Sequence, residues 1–308
     1  MVLRPRPLVD AQFLRRVFAS PRVVGQIVAS AVGSTMVNLN HSAVASVPVQ
    51  FPPLPEQRAI ARALSDVDDL ISALDKLIEK KRAIKQATMQ QLLTGRTRLP
   101  GFGGEWSKES LGSLATFLSG GTPPRANKGY WRGAIPWISA TSLRSFKIWR
   151  SDASVTEEAV RIGSRMAPIG ASLLLVRGSA LHNEILCGIV TKPVCFNQDV
   201  KALVPAPRLL PGFLTWAIHG RSQDLLKLVS SAGNTAGVLD TKLLKSFKID
   251  LPPLPGQRAI AAVLSDMDAE IAALERRRGK TRLVKRGMMQ ELLTGRIRLV
   301  VPTEVGAG

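Results

Sequence analysis

Residues 51–100 and 251–300 are two copies of one sequence. FPPLPEQRAIARALSDVDDLISALDKLIEKKRAIKQATMQQLLTGRTRLP lies over LPPLPGQRAIAAVLSDMDAEIAALERRRGKTRLVKRGMMQELLTGRIRLV without a gap, and 28 of the 50 positions are identical. A long internal repeat constrains the fold before any local propensity does. Each copy opens on a proline-rich turn, and Pro52, Pro53 and Pro55 fit a helix only in its first turn. Apolar residues then recur at Ile60, Leu64, Val67, Ile71, Leu74 and Ile78, in alternating steps of four and three. The second copy carries Ile260, Leu264, Met267, Ile271 and Leu274 at matching places. That pattern is an a/d seam, so each copy predicts a long helix seeking a partner helix. Glu79, Lys80, Lys81 and Arg82, with Arg276, Arg277 and Arg278 in the second copy, flank the seam. Gly95 and Gly295, after Leu-Leu-Thr, are the expected helix stops. Two such helices in one chain most simply pack on each other.

The copies lie 200 residues apart and leave room for one globular domain at 101–250. The same offset continues upstream: Phe13-Leu14 aligns with Phe213-Leu214, Gly33 with Gly233, Thr35 with Thr235, Leu39 with Leu239 and Ser46 with Ser246. Residues 1–50 are therefore expected to be the final third of a second globular domain whose beginning is absent. The division expected is 1–50 remnant, 51–100 first helical region, 101–250 complete domain, 251–300 second helical region and 301–308 tail. Within 101–250, Ala171–Val176 and Val200–Val204 read as strands, and so does Glu184–Val190. Pro211–Ser230 reads as a helix whose apolar face carries Phe213, Leu214, Trp216, Ala217, Leu225, Leu226 and Leu228. Mixed signals of this kind give an α+β fold class, an α/β-mixed domain flanked by two long helices.

The 42 Lys+Arg against 23 Asp+Glu give a formal charge of +19. That excess calls for an anionic partner, and nucleic acid is the commonest for a basic chain because each phosphate contact releases counterions. A basic surface serving solubility is the alternative. The charges are spread along the chain and not gathered on one amphipathic face, which argues against membrane binding. No apolar run reaches the roughly 18–20 residues of a membrane span, and the first residues lack a secretory apolar core. A cytoplasmic setting is expected. Cys187 and Cys195 have no metal or redox spacing and read as packing residues.

Catalytic signatures are missing. Asp250-Leu251-Pro252-Pro253-Leu254 approaches the Asp/Asn-Pro-Pro-aromatic motif of an adenine methyltransferase, but a leucine intervenes and the aromatic is absent. It reads as a helix lead-in. There is no glycine-rich S-adenosylmethionine fingerprint and no GxxxxGK[ST] loop. His41, His182 and His219 lack neighbours at ligand spacing and read as structural, so no metal is expected.

Three loops are candidates for touching DNA. The first, Ser119–Arg132, offers Thr122, Arg125, Asn127, Lys128 and Arg132; its glycines would let backbone approach phosphate, and Arg and Asn can bond base edges. Gly121 and Pro123 read as turn formers there, and Trp131 and Trp137 as core rather than base-stacking residues. The second, Ser139–Arg144, offers Thr141 and Arg144 among short hydroxyls. The third, Ser230–Gly237, offers Asn234 and Thr235, followed by Lys242. Arg177 completes the set.

The run LPPLPxQRAIAxxLSDxDxxI and the terminal LLTGRxRL resemble the specificity subunits of Type I restriction–modification systems. So do LPGFGGEWSKESLGSLATFLSGGTPPR, Gly133–Ile138 and Phe196-Asn197-Gln198-Asp199. The resemblance implies two target-recognition domains alternating with two helical regions that pack as an antiparallel coiled coil. It implies sequence-specific binding of double-stranded DNA, each domain reading half of a split site, by a chain that is not an enzyme. Methyltransferase subunits with S-adenosylmethionine, and a motor nuclease subunit with ATP and Mg, would be the partners; this chain would hold no cofactor. Two chains pairing through their helices would make the target palindromic. A remnant or helical scaffold occupying methyltransferase subunits without directing them, and a nuclease in its own right, are the rival readings.

Overall fold

The computed structural model describes residues 5–29, 44–45, 47–230 and 236–299. Two compact units divide it, Met1–Lys81 with Glu270–Gly308, and Arg82–Ala269. The divisions fall inside the two long helices, α3 (Leu54–Leu93) and α9 (Leu254–Leu292). Each helix starts directly after its proline pair, with Pro55 or Pro255 in the first turn where no intrahelical N–H is needed. Thr94-Gly95 follows α3 and Leu293-Thr294-Gly295 follows α9, and Gly95 and Gly295 take φ of +68° and +70°, the left-handed conformation that closes a helix C-terminus.

In the first unit, α1 (Ala11–Phe18) and α2 (Pro21–Ala29) pack on the start of α3 and the end of α9. Asp10 caps α1 by accepting from the Phe13 amide at 2.9 Å. Phe13, Val17, Val23, Ile60, Leu64, Leu292 and Leu293 form the core. The helices run antiparallel, since Asp68 pairs with Lys285, Asp75 with Arg278 and Lys81 with Glu270. Glu56, in the first turn of α3, accepts from Arg298 Nε at 2.8 Å and from the Leu299 amide at 3.1 Å. The hydrogen bond from Arg298 holds its carboxyl below the usual carboxylate range against the opposing effect of burial.

The second unit is built on β1 (Ser107–Ser110), α4 (Leu111–Leu114), β2 (Ala115–Ser119), β3 (Ile135–Ile138), β4 (Lys147–Ile148), β5 (Ser154–Val155), α5 (Glu157–Gly163), β6 (Met166–Ala167), β7 (Ser172–Leu175) and β8 (Arg177–Gly178). The chain continues through β9 (Cys187–Val190), β10 (Val194–Phe196), β11 (Val200–Pro205), α6 (Pro211–Gly220), α7 (Ser222–Leu226), β12 (Val229–Ser230), β13 (Gly237–Leu239), α8 (Thr241–Ser246) and β14 (Lys248–Leu251). The central sheet has the order β2-β11-β7-β9-β4, and α6 covers β7, β9 and β11. Smaller sheets run β5-β3-β10-β6 and β12-β13-β8, and β1 pairs antiparallel with β14. The core extends from Leu173, Leu203, Phe213 and Leu214 into Met89, Leu92 and Leu93 of α3 and Ile260 and Leu264 of α9. Here too the helices run antiparallel, with Lys85 paired to Asp268. The chain is thus α+β, with long paired helices.

Two local expectations change. The helix expected over 211–230 breaks at Arg221 and ends in a strand at 229–230. Gly220 packs closely on α3: a Cβ there would stand 2.5 Å from Leu93 Cδ1, so that methyl would have to shift. Arg221 turns away to bond Asp224 and Asp250. The strand expected over 184–190 begins at Cys187, after the 3-10 turn Ser179–His182 and its hydrogen bond from the Glu184 amide to Ala180.

Gln57 and Gln257, both buried in the first turns of the long helices, make the same three bonds. Gln57 Oε1 accepts from the Asp10 amide at 2.8 Å, and Nε2 donates to the Leu8 and Pro52 carbonyls at 3.1 and 2.8 Å. Gln257 Oε1 accepts from the Leu210 amide at 2.8 Å, and Nε2 donates to the Arg208 and Pro252 carbonyls at 2.9 Å each. Every partner shifts by 200 residues. Phe13 and Phe213 are fully buried in the same register. Gly33, Thr35, Leu39, Ser46, Gly233 and Thr235 lie outside the described residues.

Candidate nucleic-acid interface

The first loop is braced from beneath. A Cβ at Gly120 would stand 2.1 Å from the Phe196 carbonyl oxygen, and one at Gly121 would stand 2.4 Å from that of Gly163. These glycines are therefore taken up by the protein's own backbone, and the Gly121 amide donates to Phe196 at 2.9 Å. Trp137 Nε1 donates to the Gly121 carbonyl at 3.0 Å, and Trp131 meets Trp137 edge-on at 5.1 Å between centroids. Thr122 Oγ1 donates to Gln198 Oε1 at 2.6 Å. On this platform the Arg125 guanidinium lies 4.7 Å from the Trp131 ring centre and 5.5 Å from that of Trp137. Asn127 Oδ1 accepts from the Gly129 amide at 3.0 Å and starts the 3-10 turn Lys128–Trp131. Arg125, Lys128 and Arg132 are exposed, so three cations project from one rigid loop while Thr122 and Asn127 shape it.

The second loop forms a 3-10 turn, Ala140–Ser142, anchored by buried Leu143. Ser139 and Thr141 share a hydroxyl bond at 3.1 Å, and Ser142 meets Ser151 at 2.8 Å. Arg144 Nη1 reaches Glu184 at 3.4 Å, an exposed pair that solvent screens. Thr141 and Arg144 line a groove of about 550 Å³ that also takes in Lys147, Trp149 and Arg150. Sequence reasoning missed those last three, although Lys147-Ile148-Trp149-Arg150 interleaves cations with an aromatic.

Arg177, exposed on β8, stands opposite Val238 of β13, so it shares a sheet with the strands that flank the third loop. Asn234 and Thr235 of that loop lie outside the described residues. Lys242 is exposed at the start of α8, where its amide donates to Asp240 at 2.6 Å. The Phe196–Asp199 segment is internal bracing: Phe196 is in the core, Asn197 Nδ2 donates to Asp199 at 3.1 Å, and the Asp199 carbonyl accepts the Val176 and Arg177 amides. Of the seam residues, Ile60, Leu64, Leu74, Ile78, Ile260, Leu264 and Ile271 are buried, and Val67, Ile71, Met267 and Leu274 are half-buried.

Burial raises the Cys187 thiol pKa far above its usual value and pushes Cys195 up to about 11, so both are inert packing groups. Burial lowers the pKa of His219, whose ring bonds the Cys187 carbonyl. Among the described residues no group of three or more His, Cys, Asp and Glu is placed to hold a metal ion. No described helix is long and apolar enough to cross a membrane.

The arrangement is matched by known proteins. The family model for the Type I restriction modification DNA specificity domain matches residues 18–86 and 103–281. The specificity subunit of the Type I restriction enzyme EcoR124I/EcoR124II from Escherichia coli is 28% identical over 229 residues, covering 72% of this chain and 55% of that subunit. The chain thus spans about half the length of that relative. Among solved structures, the Type I S subunit from M. genitalium matches with a TM-score of 0.60 at 18% identity, covering 92% of this chain and 73% of that one. The HsdS subunit from Thermoanaerobacter tengcongensis matches with a TM-score of 0.50 at 20% identity, covering 94% and 71%. Two helical copies, a mixed domain seated on them and a family match over most of the length agree: the chain belongs to the specificity-subunit family of Type I restriction–modification systems.

Proposed function

We propose that this chain reads DNA for partner enzymes and is not itself catalytic. The observation that carries the reading is the seating of the mixed domain on the long helices through Gln257, Ile260 and Leu264, with exposed cations on its loops. A rigid mount and a mobile-ion-releasing surface are what sequence-specific duplex binding needs. In this reading residues 101–250 bind one half of a split site through Arg125, Lys128, Arg132, Thr141, Arg144, Arg177 and Lys242. Asn234 and Thr235 are assigned with them by sequence. Thr122 and Asn127 hold the loop in shape.

The helices are the spacer, and residues 1–50 correspond to the closing third of a second reader. The shared bonding of Gln57 and Gln257 supports that correspondence. Methyltransferase subunits bring S-adenosylmethionine and the pocket for a flipped adenine, and a motor subunit brings ATP and Mg. The chain holds none of these and works in the cytoplasm. Co-expression with a Type I methyltransferase subunit, followed by mapping of methylated adenines, tests this. A split motif is expected, and its symmetry tells one chain from a pair. No new methylation would overturn it in favour of a scaffold that occupies the methyltransferase without directing it.

A further inference from the structure

Trp149 follows β4, the last strand in the order β2-β11-β7-β9-β4 and so an edge strand among the described residues. Its side chain is 43% exposed. The Arg150 guanidinium and the Lys192 ammonium each lie 5.1 Å from its ring centre. Ile148, fully buried between Lys147 and Trp149, pins the strand to the core. Lys147, Arg150 and Lys192 are exposed and have no carboxylate partner among the described residues. Asp152 is the carboxylate in the groove wall, against Arg144, Lys147 and Arg150.

A lysine on an edge strand guards against unwanted strand pairing. That accounts for Lys147 but not for its neighbours, since an exposed indole invites association. A half-exposed indole with two cations over its ring, neither paired with a carboxylate among the described residues, suits a partner that is itself flat, apolar in patches and anionic at regular intervals. Nucleic acid has that chemistry, because phosphates take the cations while a sugar or base face takes the ring.

We propose that the groove beside β4 is a duplex-DNA contact surface, with Lys147, Arg150 and Lys192 on phosphates and Trp149 packed on the sugar or base between them. The inference rests on the DNA-reading function and extends it to residues outside the three loops. Trp149 is the shape-sensing contact, and the three cations set the register of the β4 edge along the backbone.

The test is a titration of a mixed-sequence DNA duplex with the full chain over a range of salt concentrations. Replacing the three cations (K147A/R150A/K192A) is expected to flatten the slope of log affinity against log salt by about 2–3, one phosphate contact each. W149A is expected to weaken binding about tenfold with the slope unchanged, since a base or sugar contact releases no counterion. W149F is expected to bind like the parent and to lose the part of the DNA-induced change in indole emission that Trp149 supplies, the other four tryptophans remaining. K227A, removing an exposed lysine elsewhere, is the control. The variant side chains are exposed, and circular dichroism checks that each chain is folded. If the parent binds but the triple variant and W149A keep its affinity and slope, the β4 groove is not a DNA surface. If the parent does not bind DNA at all, the DNA-reading function itself falls.

Discussion

Asp68 of α3 is held by Lys285 of α9 at 2.5 Å. Adding 200 to the first number and subtracting 200 from the second gives Asp268 and Lys85, which are paired as well. The repeat thus writes one ion pair twice, each copy lending its acid to the other's base. The third member has diverged: Arg16 also reaches Asp68, whereas the equivalent Trp216 stacks on Lys85 at 4.7 Å from its ring centre. A pair repeated this way fixes helix direction, because parallel helices could not satisfy both.

Charge reversal measures that role. D68K is expected to destabilise the chain to urea by about 0.5–1 kcal/mol, as for a partly exposed pair, and K285D added to it to recover most of the loss. Failure of the double variant to recover would mean that the pair does not set the register.

Gln257 is 1% exposed and bonded to two carbonyls and an amide. Gln257→Leu leaves those backbone groups without partners in a dry setting, at a cost of about 1–3 kcal/mol in the urea midpoint. Gln57→Leu is expected to cost a similar amount through the equivalent bonds.

Leu264→Ala opens a cavity where the domain meets α9, and a loss of about 2–5 kcal/mol is expected by thermal or urea unfolding. Leu283→Ala, at an exposed site on the same helix, is expected to change stability by less than about 0.5 kcal/mol.

Acid weakens the helix pair. Hydrogen bonds from Arg278, ahead of the opposing effect of desolvation, hold the Asp75 carboxyl below its usual range. For Asp68, burial raises the pKa, but Lys285 and Arg16 together outweigh it. A lowered folded-state pKa gives stability that is present above the unfolded value, about 3.9, and is lost as pH falls through the folded value. The urea midpoint is therefore expected to hold from pH 7 to about 5 and to fall below about 4. D75N is expected to show a shallower fall, read by circular dichroism across the same range.

The helices were legible in the sequence because their period, proline starts and glycine stops are all local signals. Gly95 and Gly295 close them at positive φ as the pattern requires. The break at Arg221 was not legible, since that residue is held not only by nearby Asp224 but also by Asp250 of β14. The same holds for the surroundings of Gly120 and Gly121: the loop's glycines read as able to approach phosphate, Gly121 foremost as a turn former, and both lie against distant backbone, that of Phe196 and of Gly163. Trp149 was overlooked for a related reason: its exposure depends on β4 being the last strand of a sheet, and strand order is not written in any one segment.

Domain exchange tests the central claim most directly. Residues 101–250 would be replaced by the corresponding domain of a family member with a different target, the helices kept, and methylated adenines mapped in the presence of the methyltransferase subunit. One half of the split motif is expected to change to the donor's while the spacing between halves stays constant. A motif unchanged by the exchange, or changed in both halves at once, would contradict the assignment of reading to this domain and of measuring to the helices.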